Sequence, residues 1–590
     1  MSRSRRALAS LLLVGIGLPS ASHADPSLTE DLGTLERAAL ARALEARSLR
    51  IETEPEGKII GQVHVVNLDV FQPQDGFLQV FNSLHVTTEE DVIRREVLLR
   101  PGMAWDERRV FETKRNLRDR TFTTLVVAVP VRSRRPGHVD LLVVTRDVWS
   151  LRLNSRFDLQ QDTFRELAFS LSENNFLGRR KRVSLTFDMD LGSVFLGGSF
   201  FDSNIRGSRL TLLHTSGVFL ARADGAVEGS ASRSVFRLPL WALDRRWGFD
   251  VQVQHADQRV RSFLGTELRT YDDPATPTVE AVPRVYRRRA VAAELTGTWS
   301  IPGPIIHRFG FGYVLSWSEA ERDDPGVIDP ATEAAFARDV LPRAETRSGL
   351  TLRYRLFRPE FRIYRDMNTY DFPEDEQVGP DLRVAVTASP RGLGSTEDTL
   401  LFEVDAAWFL DWSDDAYTEL NLSASNRLDG QGLVDHLVSG RVITASPTWL
   451  DALRLVVQVR GAGLFRESAN RFLSRGGEEG LRGFPAGQFT GDRSVIVNAE
   501  LRTRPLRVAF LAAGAVAFYD GGHAWGIRPG LPSATTAPRL AWQSDVGLGL
   551  RAVVPQTDTT VWRMDFALPL TGEAPGWDGF RFSAGLGQFF

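Results

Sequence analysis

The residues best suited to chemistry lie in one glycine-rich stretch, residues 475–502 (RGGEEGLRGFPAGQFTGDRSVIVNAELR). It carries Leu481, Arg482, Gly483 and Phe484 in a row, then Gly487, Gly491, Asn498 and Glu500. Further on come Phe518-Tyr519-Asp520-Gly521-Gly522-His523-Ala524-Trp525, then Gly547 to Arg551, then Arg563 to Phe566. The chemistry this set offers is charge pairing. A guanidinium withdrawn from water needs an anion, and strand parity offers two. Asp520 shares a face with Phe518, Val516 and Gly514, and Glu500 lies on the polar face of its own segment. Catalysis finds little support. The nine histidines are scattered, with no H-E-x-x-H and no G-x-S-x-G. His523 stands near Asp520 but has no nucleophile at a matching position. With zero Cys, thiolate zinc sites, cysteine nucleophiles and disulfides are excluded together. The chain is expected to be neither an enzyme nor dependent on a cofactor or metal.

Something must hold these residues in place, and the rest of the chain shows what. The 590 residues are 43% hydrophobic and 25% charged, and no mature stretch offers the roughly 18 apolar residues of a membrane helix. Basic and acidic residues number 71 and 74 and are interspersed, which gives no reason to expect a nucleic-acid partner. From Asp147 onward the sequence alternates with period 2. Val183, Leu185, Phe187 and Met189 oppose Ser184, Thr186, Asp188 and Asp190; Trp562, Met564, Phe566 and Leu568 oppose Arg563, Asp565 and Ala567. One greasy face and one ionic face is the pattern of a transmembrane barrel strand. A series of soluble sandwiches also alternates, but would not run unbroken over 147–590 with charged faces in strand after strand. Backbone facing lipid must be paired, so the sheet has to close. About 20 strand-like segments can be counted, the first near 147 and the last near 579. Long connections at 259–285, 320–345, 467–492 and 522–541 fall on one end, and tight turns such as Pro302-Gly303-Pro304 on the other. The connection 359–377 is too long for this scheme. Phe580, Phe582, Ala584, Leu586 and Phe590 share one face of the last segment, with Gln588 interrupting the apolar row.

The N-terminal part has a different grammar. Arg3, Arg5 and Arg6, the apolar Leu8–Leu18 and Ser22-His23-Ala24 make residues 1–24 read as an export signal. Residues 25–56 hold an amphipathic helix, with Leu28, Leu32, Leu35, Ala39 and Leu40 at helical spacing, and a linker. Residues 57–146 read as β-α-α-β-β. Ile59, Gly61, Val63 and Val65 form one strand face, Thr87 and Glu90 a capping box, Arg100-Pro101-Gly102 a stop, and Arg134-Arg135-Pro136-Gly137 a hairpin turn. The helix of 25–56 either rests on this module or plugs the barrel.

Taken in order, Leu481-Arg482-Gly483-Phe484, Phe518 to Gly522 and the aromatic end resemble the BamA/TamA-like outer-membrane assembly and translocation superfamily (bacterial surface antigen family), which also includes two-partner secretion transporters. The resemblance implies a membrane all-β fold: an antiparallel transmembrane β-barrel over 147–590, of 16 strands by resemblance and up to 20 by segment count. It implies that the module at 57–146 is a single POTRA domain, and that Glu173-Asn174-Asn175-Phe176-Leu177-Gly178 is the first periplasmic turn. It further implies that the loop 467–492 folds into the barrel, locked by a bidentate Arg482–Asp520 pair with Glu500 nearby. Phe590 with Phe582 would be the C-terminal signal by which such barrels are recognised. The function implied is insertion, assembly or translocation of other proteins at the bacterial outer membrane, with the N-terminal domain in the periplasm. Partners would be unfolded outer-membrane or secreted clients, outer-membrane lipids and periplasmic or assembly-complex proteins. The competing readings are a two-partner-secretion transporter for one dedicated exported partner, and a passive pore.

Overall fold

The computed structural model describes residues 32–590 apart from 120, 161–162, 274, 276–280, 325, 371, 509, 527–538, 556 and 558. The expected export signal, 1–24, lies outside the described residues.

Among the described residues the barrel wall is 20 antiparallel strands, from Leu151–Gln160 to Arg581–Leu586. Every segment counted from the alternation is one of them, so the 16 strands implied by resemblance are corrected to 20: each alternating segment carries its own ladder. Two wall strands are broken once. Glu345–Phe357 stops at Arg358-Pro359 and resumes as Glu360–Arg365. Both halves pair with Pro373–Ser389. The stretch 359–377, too long for a turn, is therefore mostly ladder. Pro359 has no N–H to give to a ladder, and this hid the continuation. The hairpin closes over Glu374, whose carboxylate accepts from the backbone N–H of Met367, Asn368 and Thr369. The second break, at Arg504-Pro505, separates Arg493–Thr503 from Leu506–Val508 along the same neighbour.

Outward faces are apolar and open. Leu185 is 65% exposed, Phe311 60% and Leu548 66%, while Arg563 and Asp565 on the inward face of their strand are buried. Water would not tolerate so continuous an apolar band on a folded chain, whereas hydrocarbon wets it. Among the described residues no helix is long and apolar enough to cross a membrane; the strands cross. The ladder is uneven around the circumference. Val285–Ile301 and Ile306–Arg322 pair at sixteen consecutive positions. The last strand meets the first at one position, Ala584 opposite Phe157.

The long connections leave one end of the barrel, as expected. There the helix α4 (Pro330–Asp339), capped by Asp329, packs Phe336 and Val340 against Tyr271 and Val282 of the neighbouring loop. The N-terminal module sits at the other end. It comprises α1 (Thr34–Arg47), β1 (Ile59–Leu68), α2 (Glu90–Glu96), α3 (Glu107–Leu117), β2 (Thr123–Arg132) and β3 (His138–Asp147). The sheet order is β1–β3–β2, with β1 parallel to β3. Helices α2 and α3 cover one face through Ile93, Val97, Val110 and Leu117. Helix α1 covers the other through Ala39, Leu40 and Ala43, so it rests on the module. Two local expectations fail. A register shift between Ile60 and Val63 brings Ile60, Val63 and Val65 inward and leaves Ile59 43% exposed. The Thr87–Glu90 capping box does not form: α2 starts after Glu89, and the Thr88 N–H donates instead to Asp147 at 2.6 Å.

Module and barrel meet at the turn after Thr163–Phe176. The Asn175 side chain donates to the Val86 carbonyl (2.8 Å) and the Glu89 N–H to the Gly178 carbonyl (2.9 Å). Farther round, Arg118 pairs with Asp375 at 2.8 Å and Arg365 with Glu36 at 2.8 Å. The module thus spans the mouth from one side of the wall to the other.

Candidate functional site

The loop 467–492 folds back into the lumen because its glycines permit a path other residues would block. Gly476 has φ +122°, and a Cβ there would strike the Pro485 carbonyl. The Gly477 N–H lies within hydrogen-bond reach of both the Leu481 and Phe484 carbonyls, each at 2.8 Å, closing a tight knot. Leu481 and Phe484 pack with Phe489, Ile496 and Ala524. The knot presents Arg482 to the wall.

Arg482 is almost completely buried. Its Nε and Nη2 donate to the two oxygens of Asp520, both at 2.8 Å, and its Nη1 donates to Glu500 at 2.7 Å. The Phe518 and Phe589 rings lie against the guanidinium, with centroids 3.5 and 3.9 Å from its carbon. Asn498 ties loop to wall, donating to the Gly480 carbonyl (2.9 Å) and to Asp520 (2.8 Å). The network continues along the inward faces of the next strands. Arg551 donates to Asp565 (2.7 Å), Arg563 donates to the same carboxylate (3.0 Å) and pairs with Glu478 of the loop. Arg502 donates to Glu500 at 2.8 Å. Asp545 lies opposite Asp520 in the ladder. Apart from that pair of acids, buried cations and carboxylates alternate, which is what makes so much charge tolerable out of water.

The structure brings together every residue expected to lock the loop: Leu481, Arg482, Gly483, Phe484, Glu500 and Asp520. Sequence reasoning gave no role to Arg551, Arg563 and Asp565, although a signal existed. Arg551 and Arg563 face each other directly in the ladder, a like-charge pairing that is unfavourable unless an acid sits between them. The end of the chain departs from expectation. Phe582 stays on the wall beside Phe566, rings 5.3 Å apart, but the strand ends at Leu586. Gly587, at φ +86°, turns the remaining residues into the lumen. Gln588, the odd polar residue in the row, accepts from Arg551 at 3.3 Å. The Phe590 ring packs on the cluster of Tyr364, Phe409 and Tyr417, and its carbonyl accepts from Arg502 at 2.9 Å. Phe590 therefore does not share the outward face of Phe582.

Gly483 approaches the wall closely, and a Cβ on it would lie 2.5 Å from Asp545 Cβ. Gly483→Val is expected to push the loop off its seat at a cost of about 1–3 kcal/mol. Limited trypsin digestion of the folded, detergent-purified barrel should then cut within 467–492, where the parent resists. Equal resistance in both would mean that the close approach does not matter.

A closed wall with an apolar outer face and a charge-locked loop inside defines a transmembrane β-barrel with an inward-folded loop. Residues 379–590 match the Omp85 superfamily domain. That match covers the second half of the barrel wall together with the inward loop and the strands that hold it. Similar solved structures include BamA from Haemophilus ducreyi lacking POTRA domains 1–3, at 14% identity over 89% of this chain and 84% of that one, with a TM-score of 0.37. CdiB from Acinetobacter baumannii matches at 11% identity over 90% and 74%, TM-score 0.43, and CdiB from Escherichia coli at 12% over 98% and 94%, TM-score 0.39. No curated protein sequence matches the chain.

Proposed function

We propose that this protein assists the insertion, assembly or translocation of other proteins at the bacterial outer membrane, with its N-terminal module acting as a POTRA domain in the periplasm. The observation that carries this reading is the seam. Among the described residues, Arg581–Leu586 is held to the preceding strand at six positions and to the first strand at one. Backbone groups left unpaired in lipid are costly, so both seam strands are templates for an incoming strand. No cofactor is needed, since edge pairing supplies the energy. The edges of the module's sheet are less available. Residues 50–52 bridge to β2, and Arg94 occupies the Val63 carbonyl of β1 at 2.7 Å. The barrel seam is the better client site.

A passive pore is disfavoured by a loop locked inside the barrel and a mouth spanned by the module. A transporter for one dedicated partner is disfavoured by α1 lying on the module, away from the lumen. Depletion followed by quantitative profiling of outer-membrane and secreted proteins tests the reading. Several barrel proteins should fall together, by about twofold or more. Loss of one exported protein alone would favour the dedicated transporter, and no loss would remove both readings.

A further inference from the structure

At the module's end of the barrel, a cavity of about 860 Å³ opens between α2, α3 and the turns that follow Phe176, Asp202 and Leu238. Its two sides differ in chemistry. Toward the wall it is bounded by Phe176, Leu177 and Phe200. Phe176 is 43% exposed and, by register with Lys181, lies on the same outward face as Val183 and Leu185. Phe200 shares the outward face of Leu196. Leu177 is 66% exposed at φ +58°, a left-handed conformation unfavourable for leucine that holds its side chain out from the turn.

The other side is cationic. Arg95, Arg179, Arg180, Lys181, Arg206 and Arg209 all border the cavity. Most nearby carboxylates are already committed, and Asp119, which also borders the cavity, accepts from the Thr121 N–H. Glu89 and Asp91 pair with Arg179, Asp91 also with Arg95, Glu96 with Arg209, and Asp202 with Lys181. Two cations remain under-matched. Arg206 is exposed and has no hydrogen bond or ion pair among the described residues. Arg180 is 5% exposed, donates to Thr123 at 2.7 Å, and leaves its Nε without an acceptor. Burial lowers the Arg180 pKa, opposed by Asp147, Asp119 and Glu96. The height of this cavity relative to the bilayer is marked by Trp247 and Trp299, exposed and paired at 6.2 Å at the same end of the wall. Tryptophans of this kind sit at the level of lipid headgroups.

From the exposed apolar rim continuous with the lipid-facing wall, and the under-matched guanidiniums behind it, we infer that this cavity binds the headgroup of an anionic phospholipid. The phosphate sits between Arg206 and Arg180, and the acyl chains run up the wall over Phe176 and Phe200. The lipid is thereby held by the barrel turns and lies as a wedge against α2 and α3 of the module. Free inorganic phosphate shares the headgroup chemistry but gains nothing from the apolar rim.

Native mass spectrometry of the full chain, purified in detergent and offered equal phosphatidylglycerol and phosphatidylcholine, tests this. The parent should retain phosphatidylglycerol over phosphatidylcholine by roughly tenfold. Arg206→Glu should bring the ratio close to one, and Leu177→Ser should weaken retention of both lipids. Heat-modifiable gel mobility verifies that each variant is a folded barrel, and Arg206→Gln, which removes one charge from an exposed turn, gives an intermediate ratio. No preference in the parent, or full preference in Arg206→Glu, overturns the inference. Displacement of the lipid by millimolar inorganic phosphate overturns it as well, in favour of a free-anion site. Client assembly is not read in this experiment, so the result stands apart from the proposed function.

Discussion

Arg482→Ala is expected to release the luminal loop and turn a quiet barrel into a conducting one. The substitution leaves Asp520, Glu500 and Asp565 facing one another in a dry interior, a loss of about 3–5 kcal/mol for a buried pair broken on one side. Asp520 loses both arms of a bidentate bond and keeps the backbone N–H of residue 482 and the Asn498 side chain as donors. Phe518 and Phe589 lose the cation they flank. In planar bilayers the parent should show small, rare openings, and the variant long openings of several-fold larger conductance. Arg482→Lys keeps the charge but not the fork, and should fall between them. Arg482→Ala combined with Asp520→Asn should recover part of the stability, because fewer orphaned carboxylates remain. Identical conductance in the parent and Arg482→Ala would show that something other than this loop occludes the lumen.

The second large effect concerns the seam. Because the chain contains no Cys, a pair introduced at Phe157 and Ala584 forms one defined disulfide at the position where, among the described residues, the first and last strands are in register. Oxidation should abolish client assembly in reconstituted vesicles, and reductant should restore it. The same bond placed between well-paired strands, such as Ala293→Cys with Leu315→Cys, should have no effect. Undiminished assembly with the seam closed would remove lateral opening from the mechanism.

Much of this architecture was readable because two solvents impose one simple period. Lipid outside and a charged lumen inside force alternation, and each alternating stretch proved to be a wall strand. The partners of Arg482 were readable for the same reason: parity fixed the inward faces of Glu500 and Asp520 before any distance was known. What escaped notice depended on backbone events that parity does not encode. Pro359 interrupts a strand without ending it, a bulge after Ile60 exchanges the faces of β1, and Gly587 swings the aromatic tail from wall to lumen. Arg551, Arg563 and Asp565 escaped for another reason. Their importance lies in which strand stands beside which, and only the closed ladder reveals it.

The loop is fastened from outside as well. Arg269 of one long connection donates to the Gly487 carbonyl at 2.5 Å. Asn470, at the start of the inward loop, donates to the carbonyls of Arg338 and Leu341 at the end of α4, at 2.8 and 2.9 Å. The bolt in the channel and the roof over it are therefore one mechanical piece. A force on the roof pulls on the bolt, and anything that draws the bolt slackens the roof.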